Sequence, residues 1–442
     1  MSGSSPAAGL PARRAALVAL QQVEERGSWS NLAVPAAIED LTDVRDRAFA
    51  AHLAYETLRW EGTLDAALQR VLSRDLSDVE AALRRILRLG ATQLTISDVP
   101  ARAAVDTSVA LAREAVPAGR AKGAAGFVNG VLRALARRGD DLGWPTAEDD
   151  PIRHLALSTG HPDWIVSELL ARYPFARVRA ILTADDVAPG VTLRAVGDRD
   201  EVLAELEAQG LEVAPGSTPG SIRAPGTDPR AVAAVAAGRA VVQDEASLQV
   251  VHATGTTSGD RVLDLCAGPG GKTTHLAQLA GEQGSVTAVE LHEHRARLIR
   301  EAAARQGLAV EVLVADARRP PLPDGASYDV VLLDAPCTGL GTGRRRPEVR
   351  WRRTPEEVGE LAALQAELLR AAATWVAPGG RLTYAVCTWT AEETGGVVDA
   401  FDAEEAAATF TRTMTRQLLP DTDDTDGMFI ATWERSDDQG NR

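Results

Sequence analysis

Residues 262–274, Val-Leu-Asp-Leu-Cys-Ala-Gly-Pro-Gly-Gly-Lys-Thr-Thr, decide how the second half of the chain must fold. An apolar run ends at Cys266, a turn of small residues follows, and a helical stretch opens at Lys272. That is the strand–turn–helix grammar of an open α/β sheet. Two phosphate-binding loops share it, and both fail here. A Walker A loop needs glycine where Cys266 stands, and a dinucleotide fingerprint opening at Gly268 needs glycine where Thr273 stands. The loop can still lay a ligand against backbone N–H groups at a helix N-terminus.

On either side of this loop, strands are expected at Arg261–Leu265, Ser285–Leu291, Val310–Ala315, Tyr328–Leu333 and Arg381–Val386. The clearest helices between them are His292–Gln306 and Pro355–Val376, and Met428–Trp433 reads as a last, antiparallel edge strand. Short apolar strands alternating with long helices predict a Rossmann-like α/β domain over residues 240–436, its parallel sheet covered on both faces. Residues 150–238 read as a small α+β linker domain. It has a helix at Asp163–Tyr173, a strand at Val191–Val196, a helix at Glu201–Gln209 and a loop at Pro215–Pro229. Residues 10–145 read as all-α. Phe127, Val128, Val131, Leu132 and Leu135 form one apolar stripe, and Leu83, Ile86 and Leu87 another, before the turn-rich stretch Gly139–Pro145.

The 442 residues are 45% hydrophobic and 25% charged, which excludes extended disorder and collagen-like structure. No uninterrupted apolar stretch is long enough to span a bilayer. Residues 1–9 lack the basic-then-apolar order of a secretion signal, so a cytoplasmic, monomeric protein is expected. Three cysteines with no Cys-x-x-Cys pair support neither a disulfide framework nor a zinc site, and no metal is expected. Lysine occurs only at 122 and 272. Net charge is −15, but it is unevenly spread: residues 390–442 carry −9, residues 78–138 carry +5, and six arginines stand against one glutamate in Arg344–Arg353. Global acidity therefore does not exclude an RNA partner.

In an open α/β sheet, ligands bind at the carboxyl ends of the strands. There Glu290 can accept hydrogen bonds from ribose hydroxyls, Asp316 can bond an adenine amino group, and Asp334 completes a row of acids. An acidic rim suits a cationic, adenosine-bearing cofactor better than a polyphosphate, and S-adenosyl-L-methionine fits. All three cysteines fall on this edge. Cys266 reads as a small buried hydrophobe. Cys337, in Asp334-Ala-Pro-Cys-Thr-Gly339, and Cys387, in Tyr384-Ala-Val-Cys-Thr388, place two thiols beside a carboxylate and a methyl donor. Cytosine C5 is too weak a nucleophile to attack a sulfonium unaided. A thiolate adding to C6 makes C5 enamine-like, an acid near N3 stabilises the adduct, and the thiol must later be expelled. Chemistry alone leaves open which thiol attacks.

These motifs resemble the Nop/Sun family of RNA cytosine-5 methyltransferases. The resemblance rests on Gln243-Asp-Glu-Ala-Ser247, Asp264–Thr273, Asp334-Ala-Pro-Cys337, Arg345-Arg-Pro-Glu-Val-Arg-Trp351, Tyr384-Ala-Val-Cys-Thr388 and Asp426-Gly-Met-Phe429, in that order. It implies that Cys387 is the nucleophile, that Cys337 helps release the product, and that Asp334 supports the ring. It also implies that Cys266, Ala267, Gly268, Pro269, Gly270, Gly271, Lys272, Glu290, Asp316 and Asp334 hold the cofactor. Three positions depart from the pattern: Gly268 stands where alanine is common, Glu290 where aspartate is usual, and Val386 where threonine is frequent. Arg85-Ile-Leu-Arg-Leu-Gly90 and Gly126-Phe-Val-Asn-Gly-Val-Leu-Arg133 resemble the NusB-like RNA-binding domain of the bacterial Sun (RsmB-like) enzymes, which modify 16S ribosomal RNA. The middle domain would then be RRM-like, although it lacks the aromatic RNP motif. Arg344, Arg345, Arg346 and Arg350, with Trp351 among them, are expected to neutralise phosphates and stack a base. Rival readings are the same chemistry on tRNA or 23S rRNA, and a non-catalytic RNA-binding or assembly factor.

Overall fold

A computed structural model of the chain describes residues 9–97, 99–139 and 141–437. They form two compact units. One runs to Val187 and includes Gly343–Arg353; the other comprises Ala188–Thr342 and the chain from Thr354 onward.

The first unit is helical. Seven helices, Leu10–Arg26, Ser30–Ala37, Val44–Arg59, Glu61–Gln69, Ala81–Thr95, Ala101–Glu114 and Ala118–Arg138, enclose one apolar core. The two stripes read from the sequence face inward: Ile86, Leu87, Val128 and Leu132 are fully buried. The arginines beside Ile86 are neutralised rather than displayed. Arg84 pairs with Glu24, Arg85 with Glu24 and Glu25, and Arg88 with Glu61 and Asp65, at 2.6–2.9 Å. Three further helices, Pro151–Ser158, Asp163–Leu170 and Phe175–Asp185, also belong to this unit. The compact unit thus ends near Val187, later than the composition break at Gly139–Pro145.

The second unit opens with a four-stranded antiparallel sheet of β1 (Val191–Ala195), β2 (Ala214–Pro215), β3 (Ser221–Ala224) and β4 (Ala240–Val242), in the order β2-β3-β1-β4. With the helix Arg199–Ala208 this is a ferredoxin-like arrangement. β3 lies inside the stretch expected to be loop. Its four residues are too few, and too closely flanked by Pro, Gly and Ser, to show alternation. Buried Arg194 on β1 ties this sheet to the glycine-loop helix, with Nε donating to Gln243 Oε1 at 2.8 Å and Nη2 to Thr274 Oγ1 at 3.0 Å.

The large sheet contains β5 (Arg261–Leu265), β6 (Ser285–Glu290), β7 (Glu311–Val314), β8 (Tyr328–Asp334), β9 (Val376–Val386), β10 (Phe410–Leu418) and β11 (Met428–Arg435), in the order β10-β11-β9-β8-β5-β6-β7. β5 pairs in parallel with β6 on one side and β8 on the other, so the point where the strand order reverses falls at the glycine loop after β5. Two expectations change. β11 is antiparallel to β9 as foreseen, but it is not the edge, because β10 pairs outside it. β10 is mostly exposed, so its Thr-Arg alternation carries no apolar signature. β9 begins at Val376, five residues before Arg381, because Pro378-Gly379-Gly380 reads as a turn yet continues the strand.

Candidate active site

The glycine loop follows β5 and enters the helix Gly271–Ala280. Gly270 adopts φ 104°, and a side chain there would also press on Ile299 Cα at 3.0 Å. Cys266 is left-handed too, at φ 62°. It packs against the sheet core, and burial pushes its thiol well above the ordinary range, consistent with a packing role. Fully buried Asp264 accepts a hydrogen bond from Thr273 Oγ1 at 2.6 Å, which ties the strand to the helix. Burial lifts its carboxyl pKa to about 7, against the pull of that hydrogen bond.

Around the loop, the acids sit at successive strand ends. Glu290, 2% exposed, ends β6 and receives the Gly268 N–H on Oε2 and the His292 N–H on Oε1, both at 3.0 Å. Arg295, which sequence reasoning missed, reaches the same carboxylate at 3.5 Å and also donates to Gly268 O. Asp316 follows β7 and is chelated by Arg318, whose hydrogen bonds hold its carboxyl below the usual range. Asp334 ends β8 and accepts from Lys272 Nζ at 2.7 Å. Burial works against the lysine's charge, but Asp334 and Cys387 outweigh it and raise its pKa. One of the two lysines in the chain is thereby placed between the cofactor loop and the thiols.

The cysteines meet. β8 and β9 run in parallel with Asp334 opposite Ala385, and the Ala335 N–H extends the ladder to Ala385 O at 3.0 Å. A few residues further, Cys337 Sγ and Cys387 Sγ lie 3.4 Å apart. The Gly341 N–H donates to Cys387 O at 3.0 Å, and the Gly427 N–H to Gly341 O at 2.7 Å, so the Asp426–Phe429 motif supports the same corner. The hydrogen bond with Cys387, then burial, hold the Cys337 thiol protonated well above its ordinary range. Beneath both loops lies Glu393, fully buried, another residue that sequence reasoning missed. Nothing in Thr390-Ala-Glu-Glu distinguishes it from its neighbour Glu392.

Residues Arg344–Arg353 are placed differently from expectation. Arg350, 1% exposed, forms ion pairs with Asp185 at 2.6 Å and Asp186 at 2.8 Å. Trp351 Nε1 donates to Leu58 O at 2.7 Å, and Arg344 Nε to Val187 O at 3.1 Å. Arg346 lies 5.0 Å over the Trp29 ring. Arg344 and Arg350 are therefore buried and held by partners inside the first unit. Trp351 is likewise committed to packing. Of the four arginines expected to meet RNA, only Arg345 and Arg346 are partly exposed. The acid partners of Arg350 are not legible in the run itself, since Asp185 and Asp186 are more than 150 residues away in sequence.

Cys266–Lys272 at a switch point, carboxylates at the ends of β6 and β8, and an acid after β7 define a Rossmann-like methyltransferase. Asp264 Oδ1 is buried with no hydrogen-bond partner, and the rim is acidic, so the donors suit a cationic nucleoside cofactor rather than a polyphosphate. Comparison with known proteins takes this further. A family profile described as 16S rRNA methyltransferase RsmB/F matches residues 253–434; a NusB family profile matches 10–137, and an RsmF/B-like ferredoxin-like domain matches 161–223. A Mycobacterium tuberculosis (H37Rv) protein, Rv1407, is 42% identical over 96% of each chain, and its name goes no further than a provisional methyltransferase. A Pseudomonas syringae protein named ribosomal RNA small subunit methyltransferase B is 34% identical, over 90% of this chain and 87% of its own. The crystal structure of PH0851 superposes with TM-score 0.83 at 24% identity, covering 98% of this chain and all of that one, which supports the fold. The chain belongs to the RsmB/F family of RNA methyltransferases, with S-adenosyl-L-methionine as methyl donor.

Proposed function

We propose that the chain methylates C5 of a cytosine in 16S ribosomal RNA through a covalent bond between Cys387 and C6. The observation that carries this reading is the thiol pair at 3.4 Å, on adjacent strand ends beside Asp334 and the cofactor loop. S-adenosyl-L-methionine, when bound by the loop, Glu290 and Asp316, supplies an electrophilic methyl group. Cys387 adds as thiolate to C6 of a flipped base, and Asp334, one oxygen held by Lys272, faces the N3 edge with the other. C5 gains the methyl group and then loses its proton to water. The electron pair returns to the ring, and the Cys387–C6 bond breaks. Cys337, held protonated, returns a proton to the departing thiolate. Residues 10–145, with Arg345 and Arg346, are proposed to meet the RNA, which accords with the name of the Pseudomonas relative.

The test is bisulfite mapping of 16S rRNA with and without the protein, alongside two variants. Cys387→Ala should abolish methyl transfer. Cys337→Ala should accumulate an SDS-stable protein–RNA adduct, because expulsion then fails. Normal turnover by Cys387→Ala would overturn the nucleophile assignment, and methylation found only on tRNA or 23S rRNA would replace the substrate.

A further inference from the structure

The structure assigns a positioning role to Glu393: its carboxylate locks the Cys337 and Cys387 loops in register and so sets the geometry of the thiol pair. This rests on the reading that these thiols are the reacting pair. Each cysteine is followed by a threonine, and both threonines converge on Glu393. The Thr338 N–H donates to Oε1 at 2.8 Å, and Thr338 Oγ1 to Oε2 at 2.6 Å. Thr388 Oγ1 donates to Oε2 at 3.2 Å and contacts Thr338 Oγ1 at 2.9 Å. Thr390 Oγ1 and Gln365 Nε2 complete the set at 2.8 and 3.0 Å. Gln365 also donates to Pro336 O at 2.9 Å, directly before Cys337.

A fully buried carboxylate is costly unless its lone pairs are filled, and here every partner is a neutral donor rather than a cation. The group thus survives through five hydrogen bonds that only this loop arrangement can supply. It sits on a single π-helical turn, Glu392–Gly396, a local geometry that recurs at functional sites. Tyr384 Oη fixes that turn by donating to Glu393 O at 2.7 Å. Glu393 also adds negative charge beside Cys337, which favours keeping the proton there.

The experiment uses the full chain and Glu393→Gln, which keeps the shape but turns one acceptor into a donor facing other donors. Turnover should fall about 100-fold, the scale of an ångström-sized misplacement, while KM for S-adenosyl-L-methionine stays unchanged. In the protein without ligands, diamide oxidation of Cys337 and Cys387 to a disulfide reports their proximity, and it should slow about tenfold. Thr388→Val, a gentler cut of the same link, should move both readouts in the same direction and decides the matter if Glu393→Gln does not fold. Wild-type turnover and diamide rates in the variants would overturn the inference. With Cys387→Ala inactive in parallel, that result leaves the cysteine reading standing; an active Cys387→Ala would instead sink the reading itself.

Discussion

Gly268 and Glu290 depart from the family pattern separately in sequence, but in the fold they are one feature. A Cβ at residue 268 would run into Glu290 Oε2, and it would also lie 2.8 Å from Arg295 Nε and 3.0 Å from Arg295 Cβ. Gly268→Ala therefore forces the glutamate to withdraw. Glu290 is 2% exposed and held by two backbone N–H groups, so it has nowhere to go without losing the 3.0 Å bond from Gly268. A hydrogen bond to a charged group contributes about 1.5–3 kcal/mol, and overpacking adds a cost of about 1–3 kcal/mol. Partial relaxation of Arg295, which is part-exposed, offsets some of this, leaving an expected destabilisation of about 2–3 kcal/mol. Aspartate at 290 would draw the carboxylate back by about one 1.5 Å bond, making room for the methyl group. Glu290→Asp alone should cost stability, because it gives up the Gly268 contact. The double variant should recover part of both losses, with a coupling of about 1–2 kcal/mol in a urea-denaturation cycle. S-adenosyl-L-methionine affinity by calorimetry should follow the same order. Additive effects, or a neutral Gly268→Ala, would refute the idea that the two positions compensate each other.

Other consequences are equally direct. Asp264 is protonated in the folded chain up to about pH 7, whereas unfolded it ionises near 3.8. Its stabilising contribution is full below pH 3.8 and falls by about 1.4 kcal/mol per pH unit until pH 7. Asp264→Asn should remove that slope from the difference between stability–pH curves, and parallel curves would refute the buried neutral acid. Arg350→Ala should destabilise the protein by about 3–5 kcal/mol by stranding Asp185 and Asp186. Arg345→Ala and Arg346→Ala should cost less stability than Arg350→Ala and reduce the salt slope of RNA binding by about 0.7 per lost phosphate contact. The opposite partition would restore Arg350 to the RNA surface. Lys272→Met should slow iodoacetamide alkylation of Cys387 at neutral pH and shift its pH profile upward, because the thiolate loses a neighbouring cation. An unshifted profile would disprove that link.

The parallel core of the fold was legible because its strands are buried on both faces: β5, β6 and β8 appear within a residue or two of where Val, Leu and Ala runs place them. β10 was not, since a solvated edge strand has no apolar face to display. The cofactor loop was legible because its glycines and proline cluster in one turn beside one of two lysines, and the two cysteines because the chain has only three. Glu393 and Arg295 were not. A glutamate at the end of a Thr-Ala-Glu-Glu run, or one arginine among 45, acquires meaning only from partners distant in sequence. The arginine run shows the converse failure. Its charge density suggested phosphate and base contacts, whereas Arg350 is paired with Asp185 and Asp186, which lie far away in sequence.

Two thiols at 3.4 Å pose a problem that sequence chemistry could not solve, because either could attack. The fold makes them unequal. Cys337 follows β8 and sits among negative charge, with Asp334 three residues before it and Glu393 beneath its loop, and both disfavour its thiolate. Cys387 follows β9, and its charged neighbour is the Lys272 ammonium, whose own pKa it helps to raise. The Cys337 thiol is thus the one held protonated, as a waiting acid requires. Lys272, delivered by the glycine loop, pairs with Asp334 at 2.7 Å, while Glu393 lies beneath the loop that carries Cys337. A protonated Cys337 accords with the proposed attack by Cys387, because the acid that meets the departing thiolate is then already in place.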